Sequence, residues 1–284
     1  MRTAFIKALM ESAEQDRRIW LLAGDLGYSV LEPFAERFPD RYVNAGVAEQ
    51  NMMGVAAGLA LSGKKVFIYS IANFPTFRCL EQIRNDVCYH NLDVKIAAVG
   101  GGFVYGSHGY THHGIEDLAV LRALPRMEVV APADPVEAEL ITRRLASTPG
   151  PAYMRLGRGK EPVVHTVPPH LEPGRPIEVL AGRDVAVLAA GTIVHVCMDA
   201  ARGAAREGIS CAVFSAPWIK PVDTDSIAAI GKRYQHVITV EEAQIMGGLG
   251  SAVAEILAGM PEPRARLTRM GVPDTILDGA HDVR

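Results

Sequence analysis

Short apolar, β-branched runs alternate with segments of helical periodicity along this chain, and this alternation constrains the fold more than any other feature. RIWLLAG, KKVFIYSI, VKIAAVGG, MEVVAPA and AYMRL have the length and composition of strands buried on both faces. EPFAERF, PTFRCLEQIRNDVCY, GIEDLAVLRAL and DPVEAELITRRLAS fall between them with helical spacing. Strand alternating with helix implies an α/β domain built on a parallel sheet. The alternation then breaks at "KEPVVHTVPPHLEPGRPIEVLAGR", whose prolines and lack of period mark a linker. It resumes with strands DVAVLAAG, SCAVFSA and HVITVEE and helices near HVCMDAARGAARE, DTDSIAAIGKRY and GLGSAVAEILAGM. The expected organisation is two open α/β sheets in series: a domain over 1–160, a linker over 161–183 and a smaller domain over 184–284. A length of 284 residues fits this, since domains commonly hold about 100 to 150 residues.

Composition narrows the function classes. No apolar run approaches the roughly 20 residues a membrane span requires. The N-terminal MRTAFIKALMESAEQD reads as a first helix rather than a signal segment, so a cytoplasmic protein is expected. Cys79, Cys88, Cys197 and Cys211 form no CxxC pair, which argues against a disulfide framework or a structural zinc site. A net charge of −3 supplies no basic face for nucleic acid.

Ligands of open parallel sheets settle at the carboxyl ends of strands, so the loops after strands are the places to search. Three of them stand out. Asp25 follows RIWLLAG in AGDLGYS; Glu49 lies in AGVAEQN; and the stretch GGGFVYGSHGYTHHGIEDL carries His108, His112 and His113 among glycines. Two readings are open for Glu49. A carboxylate in the first turn of a helix gains about 0.3 to 1 kcal/mol from the helix dipole. Against that modest role, the run from Met52 to Leu61 has almost no polar side chain, so the helix is expected to be buried on most sides. An acid in dry surroundings needs a donor or a proton to share. For the histidines, His-x3-His suggests zinc, but Gly109 and Gly114 favour a loop and no acidic or thiol ligand stands at zinc spacing. No metal is expected here. Hydrogen bonding to substrate oxygens and an ordinary surface loop remain as alternatives.

On the strength of GVAEQNMMGVAAGLAL, CLEQIRNDV, GYTHHGIEDLAVLRALP, VVAPADPVEAE and GGLGSAVAE, the chain resembles the C-terminal half of transketolases, and more closely the B subunit of split transketolases. The resemblance runs nearly end to end. It implies a pyrimidine-binding parallel-sheet domain of the thiamine-diphosphate-binding type, followed by the small transketolase C-terminal domain. It further implies that Glu49 hydrogen-bonds N1′ of the aminopyrimidine of thiamine diphosphate. A carboxyl sharing a proton with that ring nitrogen favours the imino tautomer, whose 4′-nitrogen can take the thiazolium C2 proton. The implied reaction moves a two-carbon ketol unit from a ketose, or its phosphate, to an aldose. By the same resemblance His112 contacts substrate, Arg158 grips a sugar phosphate through its forked guanidinium, and Asp25 helps to organise the cofactor pocket.

Three departures from the family pattern are visible. His108 stands where an aspartate usually reads a donor hydroxyl, which makes His108 a substrate-binding candidate of altered specificity. The aromatic that stacks on the pyrimidine is expected near Ala72, where the chain instead offers Phe74, the preferred candidate, and Phe77, expected in the core. A phosphate-binding histidine of whole-length transketolases is replaced by Gly100. The Gly-Asp-Gly motif that holds the diphosphate and its Mg2+ or Ca2+ is missing as well, since Gly24-Asp25-Leu26-Gly27 and Asp278-Gly279 lack its context. The resemblance therefore implies a separate A subunit carrying diphosphate and metal, an α2β2 assembly and sites shared between chains, with small glycine- and alanine-rich helix faces packed across the interface. The rivals are the β subunit of a 2-oxo acid dehydrogenase E1, a 1-deoxyxylulose-phosphate-synthase-like half, and a non-catalytic α/β scaffold.

Overall fold

The computed structural model of the chain describes residues 1–261 and 264–277. Asp278-Gly279, considered above, lies outside them. Twelve strands are described: β1 Ile19–Ala23, β2 Tyr42–Asn44, β3 Lys65–Ile71, β4 Val94–Val99, β5 Glu128–Val130, β6 Ala152–Leu156, β7 Ile177–Leu180, β8 Val185–Ala190, β9 Cys211–Ser215, β10 Trp218–Lys220, β11 His236–Gln244 and β12 Arg266–Val272. They form a seven-stranded sheet in the order β10-β5-β6-β4-β3-β1-β2 and a five-stranded sheet in the order β12-β11-β8-β9-β7. Each sheet is parallel except at one edge, where β10 and β7 run antiparallel to their neighbours.

Apolar strands form the centre because both faces are covered. All of β4 is buried, and helices Arg2–Gln15 and Pro135–Ser147 pack on one face through Phe5, Leu9, Ile141 and Leu145. The other face takes Met52, Met53 and Ala56 of helix Glu49–Leu61, and its core continues without a break into the second sheet through Leu188, Phe214 and Val253. The two units are interlocked as well as joined. Strand β10 comes from beyond the linker, yet it closes the first sheet, and its Trp218 is buried with Nε1 donating to Glu128 Oε1 at 2.7 Å. The expected linker in turn supplies β7, and the amides of Val164 and His165 donate to Asp134 Oδ2 at 2.8 and 2.9 Å.

Two helix expectations need correction. Helix Glu49–Leu61 is buried along one side only: Gln50, Asn51, Gly54, Val55, Gly58 and Leu61 are exposed. Uniform apolarity does not separate a face covered by the chain's own core from one left outside it. The single helix expected over PTFRCLEQIRNDVCY is broken. Asn73–Phe77 is α-helical, Cys79 leaves helical geometry at φ −120° and ψ 13°, and Ile83–Cys88 winds as a π-helix. Such departures from regular winding recur at functional sites.

Candidate active site

The carboxyl ends of β1 and β3 and the first turn of helix Glu49–Leu61 meet at one point. Glu49 is the first residue of that helix and only 2% exposed. Its Oε2 accepts a hydrogen bond from Arg78 Nη1 at 2.8 Å, while Oε1 is buried with no partner. Ser70 Oγ, at the end of β3, is likewise buried and unpartnered. Gly24 lies between the two: a Cβ built there would stand 3.6 Å from Ser70 Oγ and 3.7 Å from Glu49 Oε1. The helix-dipole role accounts for the position of Glu49 but not for a carboxylate oxygen left dry. The partner, Arg78, carried no signal in the sequence. It is one of two arginines in a segment that also carries Glu81 and Asp86, and nothing in the residue order pairs it with Glu49.

From Arg78 a line of ring contacts leads outward. The guanidinium lies 4.0 Å from the centre of the Phe74 ring, Phe74 meets His112 edge-on at 5.4 Å, and His112 approaches His108 at 5.1 Å and Tyr105 at 6.2 Å. Arg158 is exposed and stands over Tyr105 at 5.4 Å. Five of the six site residues expected from the sequence, Glu49, Phe74, His108, His112 and Arg158, thus fall on one connected path. Burial pushes the His112 imidazole below its usual value, and the nearby His108, Arg78 and His113 push the same way. Asp25 stands aside. It is exposed and in left-handed backbone at φ 54°, and its Oδ1 accepts from Asn44 Nδ2 at 3.0 Å and Tyr28 OH at 3.3 Å.

The histidine stretch is the loop that the glycines predict. Gly102 N donates to Gly114 O at 2.7 Å and Gly114 N to Gly102 O at 3.0 Å, closing a neck, and Asn73 Nδ2 ties the loop down at His113 O, 2.5 Å away. Arg155 locks the neck from below: it pairs with the buried Asp117 at 2.5 Å, donates to Gly114 O, and reaches Glu242 O of the second unit at 3.0 Å. The three histidines separate. His113 is fully buried with Nε2 at 3.1 Å from Gly106 O, whereas His108 and His112 face outward. Among the described residues no three His, Cys, Asp or Glu side chains converge as a metal site.

The departures acquire reasons. Ala72 is sealed beneath Gly114, where a Cβ would approach the Ala72 Cβ to 2.9 Å, so position 72 has no room for an aromatic ring. Phe74 is half-buried with one face against Arg78; Phe77, expected in the core, is 43% exposed instead, because Asn73, Pro75 and Thr76 take the inward side of the short helix Asn73–Phe77. Gly100 adopts φ +82° and a Cβ there would run into the Tyr105 ring, so the ring occupies the space a larger side chain would need.

A buried acid with one open acceptor oxygen at the strand ends of a parallel sheet, with a histidine loop beside it, suits a ligand held at those ends, the class of site that open α/β sheets carry. Comparison with known proteins makes that class specific. Residues 1–162 match the family model of the transketolase pyrimidine binding domain, and residues 176–283 match that of the transketolase C-terminal domain. Over 275 residues the chain is 38% identical to the B subunit of the apulose-4-phosphate transketolase of Phocaeicola vulgatus, covering 96% of this chain and 87% of that one. It is 37% identical over 284 residues to the 1-deoxy-D-xylulose-5-phosphate synthase of Symbiobacterium thermophilum, covering 99% of this chain but 43% of the synthase. A solved split-gene transketolase, described as an inactive beta4 tetramer, superposes with a TM-score of 0.88 at 40% identity, covering 96% of this chain and 89% of the other. The chain belongs to the transketolase family of transferases.

Proposed function

We propose that this chain is the B component of a two-component, thiamine-diphosphate-dependent transketolase, active only with a separate A subunit in an α2β2 assembly. The observation that carries this reading is the unpartnered Oε1 of Glu49, an acceptor left open in a dry cradle beside Gly24 and Ser70. An aminopyrimidine ring N–H suits that acceptor, so the residues present fit the pyrimidine end of thiamine diphosphate. When bound, the cofactor would supply an electron sink for cleaving the bond next to a ketose carbonyl.

The chain's own residues would do the rest. Glu49 would share a proton with the pyrimidine ring nitrogen through Oε1, and its burial would keep competing water from that oxygen. Phe74 would flank the ring. His112, held largely neutral, would offer one donor and one acceptor to substrate hydroxyls, with His108 beside it where the usual carboxylate is absent. Arg158, exposed at the outer end, would hold an anionic sugar terminus, and Asp25 would brace the surface where the A subunit approaches. Diphosphate and Mg2+ or Ca2+ would be held by the A subunit.

Reconstitution with a candidate A subunit, thiamine diphosphate and Mg2+ tests the reading by following ketose cleavage. Activity should need both chains, and Glu49→Gln should lower kcat about 100-fold or more, the scale of removing a positioned proton-sharing group. Activity from this chain alone sinks the proposal. The similarity to a synthase over the whole of this chain supports one second reading, in which 1-deoxy-D-xylulose 5-phosphate is the product that accumulates.

A further inference from the structure

The pairing of Arg78 with Glu49 has a functional reading that rests on the proposal above and goes beyond it. A carboxylate has two oxygens and a freely turning terminal torsion, so one fixed donor sets where the other oxygen points. In this chain that donor is Arg78 Nη1, 2.8 Å from Oε2, and the remaining Oε1 is the one buried without a partner. Arg78 is held in turn. Its guanidinium lies on the face of Phe74, whose edge meets His112, so the orientation of Glu49 is linked to the loop that faces substrate. The geometry also balances charge: Glu49 is 2% exposed while the Arg78 side chain is 46% exposed, so the cation enters from the wet side to meet an anion on the dry side.

We propose that Arg78 is the positioning residue for Glu49. By occupying Oε2 it leaves Oε1 as the single acceptor presented to the pyrimidine, and it keeps the carboxylate from turning that oxygen away. Arg78 touches neither the ring nitrogen nor substrate in this role. Loss of it should therefore weaken cofactor binding and turnover together while leaving sugar recognition largely intact.

The test uses the reconstituted pair with Arg78→Met, which keeps an apolar contact with Phe74, and Arg78→Lys, which keeps one donor. Thiamine diphosphate affinity is read by isothermal titration with Mg2+ present, kcat and sugar KM by ketose cleavage, and the urea midpoint by fluorescence. For Arg78→Met the expected result is a Kd about tenfold higher and a kcat about tenfold lower, the scale of one charge-assisted hydrogen bond. Sugar KM should stay within about twofold, while the urea midpoint of the methionine variant should fall, because Glu49 is left buried without its cation, and should recover in the lysine variant. Arg78→Lys should recover most of the affinity. Arg78→Met indistinguishable from wild type, a loss confined to sugar KM, or a lysine no better than methionine would each overturn the assignment alone. A wild-type pair that binds no thiamine diphosphate overturns the functional reading with it.

Discussion

A carboxylate with one oxygen paired and the other dry is unfavourable for folding. Leaving a buried acceptor unmatched costs about 1 to 3 kcal/mol, more than the 0.3 to 1 kcal/mol the helix dipole returns, so position at a helix start does not by itself account for Glu49. The proposed contact with a cofactor ring accounts for it. A partly covered setting acts on His112, whose pKa lies below the usual 6.5 because burial, then His108, Arg78 and His113, all disfavour the imidazolium. The sign follows: the folded state holds the neutral form more strongly than the unfolded chain does. The contribution of His112 to stability is therefore complete above about pH 6.5 and is lost as pH falls through the lower folded value. An NMR titration, with the resonance assigned by its disappearance in His112→Gln, should give a midpoint below 6.5. A midpoint at or above that value would mean that the loop opens to water in solution.

At the scale of elements, what was legible followed from period and what was missed followed from neighbours. The strands of the two sheet centres announced themselves because burial on both faces leaves only apolar residues. Strands β2 and β10 hold three residues each without the longer apolar run that marks the equally short β5 in MEVVAPA, and β7 sits in proline-rich sequence. Glu49, His108, His112, Phe74 and Arg158 are candidates by residue type in loops after strands or by family resemblance, and the fold lines them up on one path. Arg78 is not one of those candidates, because nothing in its segment distinguishes it from Arg84 as the partner of a residue 29 positions away. The missed β10 has the larger mechanical consequence. Its Trp218 sits in the core of the first unit, with Glu128 accepting from its indole and from Arg144 Nη1 at 2.6 Å. Trp218→Ala should cost about 3 to 5 kcal/mol, and Trp218→Phe roughly the 1 kcal/mol of one hydrogen bond, both read by urea unfolding. Because the strand bridges both units, the whole chain should unfold in one transition, and two resolved transitions would show that β10 does not couple them.

At the scale of the molecule, the same helix that starts with Glu49 carries the strongest sign of a missing neighbour. Its inner side is core, but Gly54, Val55, Gly58 and Leu61 face outward, with Leu61 67% exposed, and a Cβ at either glycine would meet nothing within 4 Å. Among the described residues nothing requires glycine at 54 or 58, and each glycine in a helix interior costs about 1 kcal/mol relative to alanine. A surface that bears that cost suits close approach by another backbone, and in the proposed assembly the approaching chain is the one holding the diphosphate. Folding and assembly should then separate cleanly in variants. Gly58→Ala should raise the unfolding free energy by up to about 1 kcal/mol, since the added methyl enters open space and the helix gains propensity. Gly58→Arg should leave the isolated chain folded, yet sedimentation of the mixed subunits should show the larger assembly lost and ketose cleavage with it. A Gly58→Arg chain that still pairs and turns over as the wild type does would place the contact on another face.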